Sequence, residues 1–250
     1  MKRAMVGLVS MLALARAGAA LADPRLDEVV YTPYVENGEA EFEVRTARQL
    51  GGPSGGDMTT VLEGEYGLND RLSLALVGTL ERSPGQALQL TGVGLEAVTY
   101  LGQIPGLGVD AGGYLEYTQG LRGEPDVIEG KVLLAKQVQR FQGLLNLIVE
   151  RPLSGPGEAR FASYGYAASA TWRTVGALRL GAEAFGDLGT DHAFGGAQGA
   201  YVGPQVLWEG RPGHAPVEIG VDAGWLFPVG TDRAEARSQW RISLELEHRF

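Results

Sequence analysis

Cysteine is absent from the 250 residues, which removes disulfides, thiolate metal sites, cysteine nucleophiles and a lipid-modified N-terminal cysteine. Histidine is scarce: His192, His214 and His248 are the whole supply, and the strand layout below puts no two of them where they could orient one nucleophile. Basic side chains are outnumbered, 21 Lys and Arg against 30 Asp and Glu, so the clustered positive charge that nucleic-acid phosphates require is missing. Long apolar runs are missing too. After residue 22 nothing approaches the roughly 20 consecutive apolar residues of a membrane-spanning helix, so any crossing must be made by strands, the other structure that satisfies its own backbone in lipid.

What is present begins at the N-terminus. Met1, Lys2 and Arg3 precede an apolar stretch from Ala4 to Ala15, closed by Arg16, and Ala20-Leu21-Ala22 precedes Asp23. This is the layout of a secretory signal cleaved after residue 22, and the stretch is too short for a helix that needs about 20 residues to span a bilayer. Removing residues 1–22 takes away Lys2, Arg3 and Arg16 and no acid, leaving 18 basic and 30 acidic side chains, a net charge of −12. Glycine (38) and proline (12) punctuate a chain that is 44% hydrophobic, a composition that can bury a core. One folded domain, 38–250, is expected after a periplasmic N-terminal segment, 23–37. Residues Asp27 to Pro33 loosely resemble the energy-coupling box of large plugged transporters, but the mature chain has no room for a plug domain, so a plain extended segment is expected there.

The main signal is alternation with period 2, which in a membrane barrel separates a lipid face from a lumen face. Leu72, Leu74, Leu76, Gly78 and Leu80 alternate with Ser73, Ala75, Val77 and Thr79. Val217, Ile219, Val221, Ala223, Trp225 and Phe227 alternate with Glu218, Gly220, Asp222 and Gly224. Such segments fall at 38–47, 58–67, 71–81, 87–101, 107–118, 127–136, 141–151, 159–172, 176–186, 198–208, 216–227 and 238–250. The pattern predicts an all-β, antiparallel up-and-down transmembrane barrel of about twelve strands, an even number that leaves both ends on the periplasmic side of a Gram-negative outer membrane. A soluble β-sandwich is the competing fold, but it has no need of a terminal aromatic after an unbroken alternating strand. Short connections alternate with longer Gly-, Pro- and Asp-rich ones, except that 82–86 is short for an external loop and 209–215 long for a periplasmic turn.

Aromatic residues in such barrels collect at the two lipid interfaces. The layout places Tyr66, Trp172, Trp208 and Phe250 at the periplasmic rim, and Tyr117, Trp225 and Trp240 at the external rim. The last strand, Trp240, Ile242, Leu244, Leu246, His248 and Phe250 against Arg241, Ser243, Glu245, Glu247 and Arg249, resembles the C-terminal signal by which the outer-membrane assembly machinery recognises its clients. It must also pair with the first strand to leave no open edge in lipid. The expected partners are therefore outer-membrane lipid, that machinery and a small-molecule cargo.

The run Glu65-Tyr66-Gly67-Leu68-Asn69-Asp70-Arg71-Leu72-Ser73-Leu74 resembles the strand-turn-strand motif of the outer-membrane family named for the meta-pathway of phenol degradation. The resemblance implies a barrel and, through the family's naming, uptake of small, often aromatic compounds. Its core is hairpin mechanics, with Asn69 and Asp70 as turn formers, and it carries over no catalytic or binding residues.

Alternation assigns the lumen candidates. They are Glu63, Glu65, Glu96, Asp110, Glu116, Glu129, Lys131, Arg179, Glu183, Glu218, Asp222, Arg241 and Glu245, with Glu39, Glu41, Glu43, Glu150, Glu247, Arg45 and Arg249 completing the inward charges. The acid excess favours cations over anions. The leading expectation is a passive channel or uptake barrel for small aromatic or cationic molecules. The alternatives are a non-transporting scaffold for a periplasmic partner and a membrane-embedded lipid hydrolase. For the last, Gly52-Pro53-Ser54-Gly55-Gly56 matches the letters of a nucleophile elbow but lacks its strand-turn-helix setting. Pairs such as Glu63 with Glu65, or Glu245 with Glu247, share a strand face and offer oxygen ligands to a hard cation, yet a wetted acidic wall has the same pattern. No cofactor or metal is expected.

Overall fold

The structure, a computed structural model, describes residues 25–154, 161–195, 198–213 and 216–250. The expected signal peptide and His214 lie outside the described residues.

Twelve long antiparallel strands follow in chain order: β1 (Glu39–Leu50), β2 (Met58–Asn69), β3 (Leu72–Arg82), β4 (Gln89–Ile104), β5 (Val109–Gly120) and β6 (Val127–Val138). They continue as β7 (Phe141–Pro152), β8 (Ser163–Arg173), β9 (Leu178–Thr190), β10 (Gly199–Gly210), β11 (Val217–Gly230) and β12 (Ser238–Arg249). Each pairs with its neighbours in sequence, and β12 pairs with β1 from Glu39 opposite Arg249 to Leu50 opposite Ser238, which closes the barrel. A two-residue strand, Ala193–Phe194, folds back on the end of β9. Each segment expected from alternation contains one of these strands; residues 159 and 160 of the expected 159–172 lie outside the described residues, and the first two residues of 87–101, 107–118 and 176–186 precede the strand. Several run beyond the alternating pattern, β9 to Thr190 and β11 to Gly230, because the backbone ladder continues past the last residue that has to face lipid.

The barrel is apolar on its outside. Phe42, Leu62, Leu74, Leu95, Leu115, Leu147, Ile242 and Leu244 are exposed, and Leu76 in the middle of β3 is 70% exposed. Their neighbours one residue away point inward and are buried: Glu43, Arg45 and Ala47 on β1, Ser73, Ala75 and Val77 on β3. In water such a surface would be an aggregation hazard; in a bilayer it is the required face. The arrangement is that of an outer-membrane β-barrel.

Short turns gather at the rim that carries Phe250, the periplasmic one by the convention of single-chain barrels. Residues 70–71, 105–108, 139–140 and 174–177 make four of these turns. In the first, the Asn69 side-chain oxygen accepts the Arg71 amide at 2.9 Å. The opposite rim carries longer connections at 51–57, 83–88, 121–126 and 231–237, the last holding a short 3-10 helix, Thr231–Ala234. The expected girdle residues stand outward near these rims, with Tyr66, Trp172, Trp208, Tyr117 and Trp225 exposed, Trp240 half-buried opposite Trp225, and Phe250 83% exposed at the terminus.

The segment expected on the periplasmic side, described over 25–37, lies inside the barrel. It passes the periplasmic rim at Gly38, whose amide donates to the Gly67 carbonyl at 2.8 Å, and runs up the lumen to Arg25, which meets Asp187 of β9 at 3.4 Å. It forms no ladder with the wall and is held by side chains.

Candidate functional site

Twelve strands lie between side-chain-packed barrels of about eight and open ones of 16 or more, and here inward side chains and the N-terminal segment pack together across the middle of the lumen. Two apolar clusters line it, against the simpler expectation of a polar wall. Ile148, Ala167, Phe185, Tyr201 and Leu226 form one and receive Val30; Val98, Tyr114 and Leu133 form the other and receive Tyr31 and Val35. An extended chain presents successive side chains to opposite sides, so Val30 and Tyr31 reach opposite walls from adjacent positions. Three wall glycines make room for it, and a Cβ at the first, Gly67 of β2, would collide with the Glu36 carbonyl. A Cβ at Gly112 of β5 would stand 2.8 Å from Pro33 Cβ and 2.9 Å from the Thr99 carbonyl oxygen, and one at Gly165 of β8 would collide with the Arg25 guanidinium.

Charged groups then fix the segment along its length. Arg25 pairs with Asp187, and its carbonyl accepts from Arg241 at 2.7 Å, while the Arg241 guanidinium lies 3.9 Å over the Phe185 ring. Lys131 of β6 donates to Glu28 at 2.5 Å and pairs with Glu129 at 3.0 Å, its ammonium held between the rings of Tyr31 (4.4 Å) and Tyr114 (4.3 Å). Arg45 of β1 meets Glu43 at 2.5 Å and Glu63 at 2.6 Å, and also donates to the Asp27 carbonyl (3.1 Å) and the Tyr31 hydroxyl (3.0 Å). The Tyr31 hydroxyl in turn donates to Glu96 at 3.2 Å.

The segment separates two vestibules. The external one, about 230 Å³, is lined by Glu81, Glu116, Glu124, Glu129 and Glu150 together with Lys131 and Arg45. The periplasmic one, about 340 Å³, carries among the described residues ten acidic side chains, including Glu39, Glu41, Glu65, Glu245 and Glu247, and no Lys or Arg on its lining.

Glu63, Glu65 and Glu96 converge with carboxylate oxygens within 4.8 Å of one another. Glu116 accepts from the Tyr114 and Thr118 hydroxyls, both at 2.6 Å, and Asp110 from Tyr100 (2.8 Å) and Tyr34 (3.0 Å). Glu183 and Asp222 line a small cavity with Arg241 and Leu26, and Asp222 accepts from Gln205 at 2.6 Å. Arg179 is buried against Thr171 (3.0 Å), apart from the central network, and Glu218 pairs with Arg211 at 3.1 Å near the periplasmic rim. Sequence reasoning missed Arg25, Glu28, Tyr31 and Asn146. Asn146 had a readable signal, an amide on the inward row of β7 between Leu144 and Ile148; the others did not.

Among the described residues, the two histidines and Ser54 lie apart from one another. His192 stacks on Phe161 with centroids 3.7 Å apart beside an external loop, whereas His248 contacts the Pro216 carbonyl at 3.1 Å beside the periplasmic rim. Ser54 sits in the external loop after β1 and donates to Glu235 at 3.3 Å.

No protein-family model matches the chain, and no curated protein is similar to it in sequence. Solved structures do resemble it. The COG4313 outer membrane channel from Pseudomonas putida F1 is similar at a TM-score of 0.55 with 14% identity, over 91% of this chain and 99% of that one. The KdgM porin is similar at 0.52 with 9% identity, and the KdgM porin in complex with disordered oligogalacturonate at 0.53 with 9%, each over 84% of this chain and 99% of that one. At these identities the likeness is one of fold, that of an outer-membrane barrel, over 84–91% of this chain.

Proposed function

We propose that this chain is a passive outer-membrane channel for small cations or cationic molecules, narrowed at mid-lumen by its own N-terminal segment. The observation that supports it is the pair of vestibules, the periplasmic one lined among the described residues by ten acids, of which only Glu36, Glu43 and Glu63 are paired with a base, Arg249 or Arg45. Carboxylates around a narrow, partly desolvated path raise the local concentration of cations and repel anions. An oligouronide such as the ligand in the KdgM porin complex is itself polyanionic and has the wrong sign for this lumen. Aromatic cargo is supported only by the hairpin resemblance around Asn69 and Asp70.

Planar-bilayer recording with folded protein tests the reading. Wild type should pass K⁺ in preference to Cl⁻, and deletion of residues 25–36 should raise the unit conductance severalfold while keeping that preference. Silence from both proteins would defeat the channel reading. It would favour the second one, a non-transporting scaffold, which the filled lumen supports.

A further inference from the structure

The strongest unassigned feature of the wall is the meeting of three carboxylates over one methyl group. Ala75 of β3 stands opposite Glu65 on one side and Glu96 on the other, and Glu63 is the next inward residue on β2. Because Ala75 is small and buried, the three acids lean together over it, an oxygen of each within 4.8 Å of the others. Positive charge reaches one of the three directly, since Arg45 donates to Glu63 at 2.6 Å. Arg45 serves Glu43 and Glu63, and Lys131 serves Glu28 and Glu129. Among the described residues, Glu65 and Glu96 have no basic side chain within ion-pair distance.

Glu96 supplies a second, separate observation. It is only 1% exposed, and one of its oxygens accepts from Tyr31. The other, Oε1, is buried with no hydrogen-bond partner among the described residues. A buried carboxylate oxygen lacking a donor is costly, and two adjacent carboxylates add repulsion. A bound cation relieves both at once.

We propose that Glu63, Glu65 and Glu96 form a binding site for a divalent cation of calcium's size, beside the Tyr31 hydroxyl and therefore at the junction of the N-terminal segment with the wall. The donors are all oxygen, which selects hard cations. Calcium bonds of about 2.3–2.6 Å allow ligands around one ion to stand as far as about 5 Å apart, whereas Mg²⁺ needs shorter, strictly octahedral bonds and gives up its waters reluctantly. Glu63 and Glu65 line the periplasmic vestibule, which provides an entry path. The site does not require conduction, so its test is separate from that of the channel reading.

The test is calorimetric titration of CaCl₂ and, separately, MgCl₂ into the chelator-treated, folded mature barrel in detergent. Saturable one-site Ca²⁺ binding is expected, at least tenfold weaker for Mg²⁺. Glu96→Gln should weaken Ca²⁺ binding at least tenfold, while Glu245→Gln, acidic and elsewhere on the vestibule wall, should leave it within twofold. If Glu96→Gln fails to give the heat-modifiable band of a folded barrel, Glu65→Gln carries the same expectation. No saturable binding by wild type, wild-type affinity in Glu96→Gln and Glu65→Gln, or equal weakening by Glu245→Gln would each overturn the site.

Discussion

The side-chain amide of Asn146 grips the peptide unit of Tyr31 from both directions: the Tyr31 N–H donates to Asn146 Oδ1 at 2.7 Å, and Asn146 Nδ2 donates to the Tyr31 carbonyl at 3.0 Å. The amide thereby stands in for one rung of a β-ladder, at the point where the segment crosses the lumen without a neighbouring strand. Asn146→Leu would leave both backbone groups unpaired in a confined space, at about 1–3 kcal/mol each. Since the chain has no cysteine, a single Val30→Cys reports on the segment alone. Thiol labelling of that residue should speed up at least tenfold in Asn146→Leu; an unchanged rate would mean that the amide does not retain the segment.

Arg45 stands between Glu43 and Glu63, while Glu43 also accepts from Ser243 across the β1–β12 seam at 2.6 Å. Arg45→Ala strands two carboxylates in the wall, and breaking a buried ion pair from one side costs roughly 3–5 kcal/mol. Removing the repulsion as well, in Arg45→Ala/Glu43→Gln/Glu63→Gln, should recover most of the loss. Urea unfolding of the detergent-solubilised barrel checks this. Equal midpoints for the single and triple variants would show that stranded charge is not the cause.

Asp232 lies in the external connection after β11, outside the membrane-spanning strands. Burial, reinforced by Asp187 and Glu235, pushes its carboxyl up to about 6 from an ordinary 3.8. Folding therefore favours its protonated form, and the stability it contributes is fully present below the unfolded value and is lost as pH rises through the folded one. The heat-denaturation midpoint of Asp232→Asn should match wild type near pH 4 and exceed it increasingly between pH 4 and 7. A pH-independent difference would refute the assignment.

What could be read in advance follows from the range of the interactions involved. Alternation is local: Phe42, Val44 and Thr46 against Glu43, Arg45 and Ala47 declare a strand and its two faces within a few residues, and Asn69 with Asp70 declares the turn. The placement of the N-terminal segment is not local. Its holds join residues 65, 115 and 162 positions apart, Tyr31 to Glu96, Tyr31 to Asn146 and Arg25 to Asp187. The segment has no periodicity of its own that requires a wall on either side. Convergence of Glu63, Glu65 and Glu96 was likewise hidden. It depends on which residue of β4 stands opposite Ala75, and the β3–β4 register shifts at Thr79/Leu80.

The outward face makes the membrane assignment testable at one position. Leu76 lies mid-strand on β3 and is 70% exposed. In a water-soluble protein, Leu→Arg at so open a site changes stability by no more than about 0.5 kcal/mol, because the guanidinium simply joins the solvent. At the midplane of a bilayer the same change costs about 2–4 kcal/mol, falling toward zero near the interfaces. Folding equilibria in phospholipid vesicles should therefore show Leu76→Arg losing that amount. Phe250→Arg, at the periplasmic terminus, should lose much less. A negligible cost at Leu76 would contradict burial of this face in lipid, whatever the barrel looks like in isolation.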